Sequence, residues 1–326
     1  MSLPKAFVTR MVPQPALEMV RAAANVEVWP HEAPPSPEEL RRKAYQVDGL
    51  FINIMDRVDA ALLDAAPGLK VVSQMAAGLD NVDVAEATRR GIPVGYTPGV
   101  VSEATADQAF ALLLSAARRL AQSERWLRGG SWNIAFHPLH WLGAEVNHAT
   151  LGIVGMGRIG LEMAKRARGF DMRILYHSHT PKPEAESLYE MTYTDLITLL
   201  RESDFVSLHV PLTPETRHLI SDEELGQMKP TAILINAARG PVVDSKALYR
   251  ALKEERIGGA GLDVTDPEPI PSDDPLLTLD NIVIAPHLGS ASVRTRTAMA
   301  VIAARNLIAG LQGERLHHCA NEQVYG

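Results

Sequence analysis

Three polar residues in the second half of the chain follow apolar runs that are typical of buried strands: Arg239, Glu268 and His287. A guanidinium can bind a carboxylate through two hydrogen bonds and polarise an adjacent carbonyl. An imidazole can donate a proton to a carbonyl oxygen, and a carboxylate bonded to its other ring nitrogen fixes the tautomer and favours the imidazolium. Together the three residue types indicate acid–base chemistry on a substrate that carries a carboxylate.

The three residues should meet because of where the strands end. The runs before them are AILINA at 232–237, GGAGLDV at 258–264 and NIVIAP at 281–286. Parallel strands open at their C-terminal ends into one crevice, so we expect the three side chains to converge there. Taken singly, each has an ordinary explanation: a surface ion pair, a position in an acidic loop, or a turn histidine. Three other polar residues lack such partners and are predicted as caps or core-edge groups: Asp195, His209 and Asp244.

A glycine turn lies in the middle of the chain, in the run LGIVGMGRIG at 151–160. An apolar stretch leads into Gly155, Gly157 and Gly160, and the helix-like segment LEMAKRARGF follows. In a strand–turn–helix unit the first glycine permits the tight turn, the second lets backbone approach a pyrophosphate, and the third lets the helix pack on the strand. The helix N-terminus then faces the phosphates. The run therefore predicts a dinucleotide site.

The elements that position these residues alternate between strand-like and helix-like patterns. Residues 5–96 contain short apolar runs separated by amphipathic segments, which predicts parallel β-α-β units. From the glycine strand onward, six strands with crossovers predict a doubly wound sheet. In the first half, a small-residue loop that includes Ala77 and Gly78 follows the strand LKVVSQM. Two interpretations of this loop are open: it binds a ligand, or it is a simple turn with Gly78 at positive φ.

The length of 326 residues predicts two domains, with a crossing near Thr97-Pro98-Gly99. Ser102 can cap a long helix after this crossing, and SASVRTRTAMAVIAARNLIAGLQG near the C-terminus predicts another. One apolar stripe marks the first of these helices: Ala106, Phe110, Leu113, Ala117 and Leu120.

Composition excludes several classes of protein. The net charge of −7 gives no broad attraction for nucleic acid or anionic membrane. No apolar run has the length of a membrane span, and MSLPKAFVTR lacks the apolar core of a signal peptide, so we expect a cytoplasmic protein. The single cysteine, Cys319, lies in a polar tail beside no candidate base. His137 and His140 have no accompanying carboxylate or thiolate ligands, and no metal site is predicted.

The segment from Gly129 to Thr150 breaks the alternation with aromatic and histidine residues. A loop of this length usually packs on another surface or has a function. We interpret it as an arm that packs on a second subunit. The alternative is an internal cluster of Trp132, Phe136 and Trp141.

The type of dinucleotide depends on the end of the second strand after the glycine turn. A cofactor with a free ribose 2′-hydroxyl usually meets an acid there. Between Met172 and Pro183 the chain has no acid, while Ser178, His179, Thr180 and Lys182 can hydrogen-bond or charge-pair a 2′-phosphate. NADPH is therefore favoured. NADH remains possible because two acids follow shortly after, Glu184 and Glu186.

The runs GIVGMGRIG, INAARGPVVD, GLDVTDPEP and NIVIAPHLGS, in this order, resemble the D-isomer-specific 2-hydroxyacid dehydrogenase family, and the match covers nearly the whole chain. Within the family, AAGLDNVD and GIPVGYTPGVVSEATAD are most similar to glyoxylate and hydroxypyruvate reductases. The resemblance implies two Rossmann-like or flavodoxin-like α/β domains and usually a homodimer. It places a dinucleotide-binding domain at 99–290 within a split substrate domain at 1–98 and 291–326.

The resemblance also implies site residues. Arg239 binds and activates the substrate, His287 is the proton donor and Glu268 tunes it, while Ala77 and Gly78 offer backbone amides to the substrate carboxylate and Ser290 completes the substrate site. Asp263 accepts from the nicotinamide carboxamide. The implied cofactor contacts, with the glycine turn, are Gly155, Gly157, Arg158, Ile159, Gly160, Ser178, His179, Thr180, Pro211, Thr216, Ala237, Ala238, Arg239, Asp263 and Gly289.

The function expected from this site is NAD(P)H-dependent reduction of small 2-oxo acids, glyoxylate to glycolate and hydroxypyruvate to D-glycerate. Another D-2-hydroxyacid dehydrogenase or a phosphite dehydrogenase on the same scaffold is an alternative. A dinucleotide-sensing corepressor that binds partner proteins is an alternative of another class. It should keep its function when His287 is replaced, whereas an enzyme should lose most of its rate.

Overall fold

The computed structural model describes residues 3–326, so Met1 and Ser2 of the predicted N-terminal segment lie outside it. The chain divides into two compact units. Unit 1 combines the described residues up to Val101 with Ser292–Gly326, and unit 2 contains Ser102–Ala291.

Unit 1 is an α/β layer structure around one parallel sheet. Its strands are β1 (Lys5–Val8), β2 (Asn25–Val28), β3 (Gly49–Ile52), β4 (Val71–Gln74) and β5 (Val94–Gly95), and its helices are α1 (Gln14–Ala23), α2 (Pro37–Ala44), α3 (Ala60–Asp64), α4 (Val84–Arg89) and α12 (Val293–Gln312). The sheet order is β2-β1-β3-β4-β5, the flavodoxin-like order. The central strands β3 and β4 are buried along their length because helices cover both faces.

The C-terminal helix α12 packs on the sheet of unit 1 at positions where side chains are small. A Cβ on Gly310 would lie 2.5 Å from the side chain of Val71, and a Cβ on Gly49 would lie 2.8 Å from Leu307. Ser73 Oγ donates to the carbonyl of Ala303 at 2.7 Å. The predicted long C-terminal helix is therefore an integral layer of this unit.

Unit 2 contains the larger sheet. Its strands are β6 (Thr150–Val154), β7 (Arg173–His177), β8 (Met191–Tyr193), β9 (Phe205–Leu208), β10 (Ile233–Asn236), β11 (Gly259–Leu262) and β12 (Ile282–Ile284), and its helices are α5 (Ser102–Ala117), α6 (Leu120–Arg128), α7 (Arg158–Arg168), α8 (Pro183–Tyr189), α9 (Leu196–Glu202), α10 (Asp222–Gln227) and α11 (Ser245–Lys253). The strands are all parallel, in the order β12-β11-β10-β9-β6-β7-β8. This order is the doubly wound Rossmann order with one added strand, so the predicted fold class is confirmed.

Two sequence predictions in unit 2 are wrong. The sheet has seven strands rather than six, because the three-residue strand β8 forms its edge. The apolar stripe does not run through Leu120: Arg119 adopts a left-handed conformation (φ 53°) that ends α5, and Leu120 begins α6 with 63% of its surface exposed. Asp195 and Asp244 cap α9 and α11, as predicted.

The segment between α6 and β6 contains no helix or strand in the described chain, and most of its large apolar side chains are exposed, although Val146 is buried. Trp132 is 58% exposed and Phe136 is 81% exposed. Trp141 packs edge-on against Trp126 instead. The alternative of an internal cluster of Trp132, Phe136 and Trp141 is therefore wrong.

Two features of residues 3–326 bear on other classes of protein. None of the helices there combines the length and the apolar character needed to cross a bilayer. Within the same residues, no group of three or more histidine, cysteine, aspartate or glutamate side chains is arranged to hold a metal ion. The rings of His137 and His140 stack on each other at 3.8 Å.

Candidate active site

Arg239, Glu268 and His287 follow the three adjacent strands β10, β11 and β12, at the C-terminal edge of the unit 2 sheet. His287 and Glu268 are in contact: Nδ1 of the imidazole lies 2.6 Å from Oε1 of the carboxylate. Both side chains are about 30% exposed. This pair leaves the other ring nitrogen, Nε2, as the atom of His287 that can exchange a proton with a substrate.

The backbone of His287 lies in the left-handed region, with φ 55°. This conformation is uncommon for a residue with a Cβ and needs support from its surroundings. Asp263 supplies that support. Its carbonyl accepts from the His287 amide at 2.9 Å, and its carboxylate accepts from the amides of Leu288 and Gly289, each at 2.8 Å. The residue predicted to contact nicotinamide is thus also the anchor of the histidine loop.

Gln108, a residue of α5 that sequence reasoning did not single out, reaches the same carboxylate. Its Nε2 donates to Asp263 Oδ1 at 3.2 Å. Asp263 is 2% exposed, so its carboxylate is buried and needs these donors. Gly289 is constrained by the same group, because a Cβ there would lie 3.2 Å from Asp263 Oδ2.

Arg239 is held by a second residue that the sequence analysis missed, Asn236. Its Oδ1 accepts from the Ala238 amide at 3.0 Å, and its Nδ2 donates to the Arg239 carbonyl at 2.9 Å. Asn236 is 1% exposed, so its amide group serves the loop rather than solvent. The signal that could have identified it is an asparagine as the last residue of an apolar strand.

Gly240 lets the arginine loop pack against the loop that carries Glu268. A Cβ on this residue would lie 1.9 Å from the carbonyl oxygen of Thr265. Every other residue type would push the two loops apart. The close approach brings the segments of Arg239 and Glu268 together.

The three glycines of the turn after β6 each meet a different constraint. Gly155 has φ +99° and its Cβ would lie 2.7 Å from the His209 carbonyl group. A Cβ on Gly160 would lie 2.3 Å from the Gly155 oxygen, so this glycine allows α7 to pack on the turn. A Cβ on Gly157 would project into open space. Sterics inside the protein therefore require two of the glycines, and the third keeps the space above the turn clear.

Helix α7 begins at this turn with its N-terminus open. Among the described residues no side chain caps it, and no acid lies in its first turn. The amide groups and the positive end of the helix dipole are thus available to an anion. Gly157 and Arg158 are exposed, whereas Ile159 is half-buried.

The family comparison bears on these same residues. The model of the D-isomer specific 2-hydroxyacid dehydrogenase NAD-binding domain matches residues 110–289, which all lie in unit 2. The chain belongs to the D-isomer specific 2-hydroxyacid dehydrogenase family. It is therefore an enzyme that interconverts 2-oxo and 2-hydroxy acids with a nicotinamide dinucleotide.

Full-length relatives agree with this assignment. A glyoxylate reductase of Korarchaeum cryptofilum is 52% identical over 321 residues, 98% of this chain and 97% of that one. The TT0316 protein from Thermus thermophilus is 46% identical with a TM-score of 0.90, covering 97% of this chain and 99% of that one. An NADPH-dependent glyoxylate/hydroxypyruvate reductase from Sinorhizobium meliloti, solved with NADP and malonate, is 33% identical with a TM-score of 0.85 and coverage of 99% and 98%.

The residues of this dehydrogenase fit a dinucleotide at the glycine turn, because Gly157 leaves room and α7 offers its N-terminus. The remaining predicted cofactor residues line the same edge of the sheet. Four of them are exposed or half-buried: Ser178, His179, Thr180 and Pro211. Five are buried: Thr216, Ala237, Ala238, Asp263 and Gly289. The Thr216 hydroxyl donates to the Pro211 carbonyl at 2.6 Å, so within this loop it holds the backbone.

The end of β7 in this dehydrogenase carries no carboxylate, and a nearby one is engaged elsewhere. The Tyr176 hydroxyl donates to Glu186 Oε1 at 2.6 Å and accepts from the Lys182 amide at 2.6 Å. Burial, with the bond to Glu186, raises the pKa of Tyr176 to about 12. Glu186 is thus fixed on α8 by the tyrosine, while His179 and Thr180 remain exposed.

His209 follows β9, beside the glycine turn. Its Nε2 lies 2.9 Å from Ser207 Oγ, and its Nδ1 is buried without a hydrogen-bond partner among the described residues. Burial lowers the pKa of His209 to about 4, so the ring is neutral at pH 7. The residue is a core-edge polar group, as the sequence predicted.

The other predicted substrate residues of the dehydrogenase lie in two places. Ser290 is half-buried in the turn after His287, which is closed by a hydrogen bond from the Ala291 amide to the Leu288 carbonyl at 2.8 Å. Ala77 and Gly78 lie after β4 in unit 1 and are half-buried. Gly78 does not belong to the described glycines with positive φ, so the interpretation as a turn that requires positive φ is wrong.

Proposed function

We propose that this enzyme reduces small 2-oxo acids, glyoxylate to glycolate and hydroxypyruvate to D-glycerate, with NADPH favoured over NADH. The observation that supports the proposal best is the His287–Glu268 pair at 2.6 Å beside the loop of Arg239. The names of the Korarchaeum and Sinorhizobium relatives support the substrate class.

His287 is proposed as the proton donor. Glu268 bonded to Nδ1 fixes the tautomer and the orientation of the ring, so in the protonated ring Nε2 presents a proton to the carbonyl oxygen of the oxo acid. The bound dinucleotide supplies the hydride to C2. The imidazolium gives up its proton as the oxygen gains charge, and in the oxidative direction the neutral ring accepts it from the hydroxyl.

Arg239 is proposed as the substrate-binding cation. A guanidinium binds a carboxylate through two parallel hydrogen bonds and withdraws electron density from the adjacent carbonyl. Asn236 and Gly240 hold its backbone, so the charge is placed before substrate arrives. The amides of Ala77 and Gly78 are proposed as further donors to a substrate carboxylate.

The preference for NADPH rests on the end of β7. His179 and Thr180 are exposed and offer hydrogen-bond donors to a 2′-phosphate, and Glu186 is held by Tyr176. The Ser178 hydroxyl donates to the Thr180 carbonyl at 2.7 Å, so it would have to turn to reach the phosphate. A carboxylate that would bind a free 2′-hydroxyl and repel a phosphate is missing from Met172 to Pro183.

We also propose a homodimer in which the segment 129–149 is the contact. Trp132, Phe136 and Leu139 are more than half exposed, and exposed apolar side chains in one segment are typical of a protein interface. Sedimentation at micromolar concentration should give about twice the chain mass of 35.5 kDa. A species of single chain mass would contradict the dimer.

The decisive experiment follows loss of reduced nicotinamide with NADPH and with NADH, each with glyoxylate, hydroxypyruvate and pyruvate. We expect the fastest turnover with NADPH and either glyoxylate or hydroxypyruvate. His287→Asn should reduce kcat about a thousandfold, because general acid catalysis contributes ~10²–10⁴ and asparagine tolerates the left-handed backbone. His148→Asn is the matched control, since His148 is exposed and also left-handed (φ 62°).

The other outcomes separate the alternatives. Turnover of pyruvate or bulkier acids in preference to glyoxylate would indicate another D-2-hydroxyacid dehydrogenase. Formation of reduced nicotinamide from phosphite and the oxidised dinucleotide would indicate a phosphite dehydrogenase. Dinucleotide binding without turnover of any substrate would favour the sensing protein.

A further inference from the structure

A fully buried glutamine, Gln74, ends strand β4 directly before the small-residue loop of unit 1. Its Nε2 donates to the carbonyl of Gly78 at 2.6 Å and to Asn81 Oδ1 at 2.8 Å. A buried primary amide is costly unless its donors and acceptor are bonded. The position is therefore committed to holding the loop that follows.

Asn81 closes the same network from the far side of the loop. Its Nδ2 lies 2.6 Å from the Asp56 carbonyl, 2.8 Å from Gln74 Oε1 and 3.0 Å from the Asn53 carbonyl. Gln74 and Asn81 thus form a reciprocal amide pair, and Asn81 ties that pair to the segment after β3. Both ends of the loop 75–80 are fixed to the body of unit 1.

The peptide planes on either side of the Ala77–Gly78 bond are fixed individually. The Thr97 amide donates to the Ala76 carbonyl at 2.9 Å. In a trans peptide the C=O and the following N–H point in opposite directions, so this bond directs the Ala77 N–H away from the core. Gln74 fixes the next carbonyl but one, that of Gly78.

Within the described chain, the amides of Ala77 and Gly78 donate to no protein group, while both residues are half-buried. Two adjacent, half-buried N–H groups without protein acceptors are available to bind an anion. Preorganised donors of this kind bind a carboxylate without the cost of ordering a loop.

We propose that Gln74 and Asn81 are positioning residues that hold the Ala77 and Gly78 amides ready for the carboxylate of the oxo acid. The inference rests on the proposed function, because it assigns the ligand of these amides to that substrate. It adds that the affinity for small carboxylates depends on two side chains that never touch the ligand.

The test uses Gln74→Met, which keeps the length of the side chain and removes the bonds to Gly78 and Asn81. Ser73→Ala is the matched control: Ser73 is also fully buried, on the same strand, and bonds to α12 rather than to the loop. The measurements are KM and kcat for glyoxylate, the inhibition constant of oxalate, the dissociation constant of NADPH and the unfolding midpoint in urea.

We expect Gln74→Met to raise KM for glyoxylate and the inhibition constant of oxalate about tenfold, with less than a threefold change in kcat and no change in NADPH binding. Ser73→Ala should lower the unfolding midpoint and leave both constants as in the wild type. Asn81→Ser, at a half-buried position, should reproduce the KM effect if Gln74→Met does not fold.

Two results overturn the inference or its basis, and they are distinguishable. If wild-type enzyme reduces glyoxylate but neither loop variant changes KM or oxalate inhibition more than Ser73→Ala does, the positioning role is wrong and the proposed function stands. If wild-type enzyme binds NADPH and does not reduce glyoxylate, the proposed function itself fails.

Discussion

The glycine turn after β6 and the three loops after β10, β11 and β12 lie at the same edge of one sheet, but different interactions hold them. The turn is shaped by missing side chains: Gly155 and Gly160 lie where a Cβ would collide with backbone. The loops are held by buried side chains that bond to backbone, Asn236 for Arg239 and Asp263 for His287. Asn236 bonds within its own loop, whereas Asp263 bonds to amide groups more than twenty positions further along the chain.

The loops should be the more sensitive to loss of one polar side chain. Asn236→Ala leaves the Ala238 amide and the Arg239 carbonyl without their partner, so we expect kcat/KM for glyoxylate to fall about 100-fold. Asn281→Ala is the control. Asn281 lies at the N-terminal end of β12, away from the site, and its side chain donates to the Leu252 carbonyl. Equal losses of kcat/KM in both variants would mean that Asn236 acts only through stability.

Alanine at two glycines of the turn should affect two different properties, stability at Gly160 and NADPH affinity at Gly157. Gly160→Ala forces a Cβ against the Gly155 oxygen and should lower the free energy of unfolding by about 1–3 kcal/mol. Gly157→Ala adds a methyl group to open space, so stability should stay within ~0.5 kcal/mol while the dissociation constant of NADPH rises about tenfold. Urea unfolding and NADPH fluorescence measure the two effects. Unchanged NADPH affinity in Gly157→Ala would place the dinucleotide elsewhere.

A smaller effect concerns His209, which lies against the turn. Its pKa is about 4 in the folded chain and 6.5 ordinarily, so between these values the unfolded chain binds more protons. This contribution to stability is complete above pH 6.5 and is lost as pH falls toward 4, with a slope of at most ~1.4 kcal/mol per pH unit. His209→Gln should therefore flatten the pH dependence of urea unfolding relative to wild type. Parallel curves would show that the histidine is accessible to protons when folded.

The sequence predicted some features of the fold and the site and missed others. The glycine turn, the parallel sheets and the placement of Arg239, Glu268 and His287 after strands follow from contiguous patterns. Gln108 was missed because the fold alone brings it to Asp263, 155 positions away. Asn236 and Gln74 bond to nearby loop residues, and they were missed because a polar residue at a strand end carries little signal until its burial is known. Strand β8 was missed because three residues at a sheet edge carry little periodicity.

The prediction that the apolar stripe of α5 reaches Leu120 was wrong for a different reason. Leu120 continues the helical spacing from Ala106, yet Arg119 turns the chain into the left-handed region. The Ala144 amide then donates to the Ala117 carbonyl, and the returning segment crosses the helix end so closely that a Cβ on Gly143 would lie 2.2 Å from that oxygen. A helix end that depends on a segment some twenty-five residues later cannot be inferred from local spacing.

Helix α12 also affects the order in which the chain can fold during synthesis. Unit 2 is continuous from Ser102 to Ala291, so every strand and helix that it needs emerges from the ribosome in one stretch. The strands of the unit 1 sheet are made first. The helix that covers Gly49 and Val71 is missing until residues 293–312 emerge. We therefore expect the nested unit to form first and the earliest-made strands to wait for the last helix, exposed to chaperones in the interval.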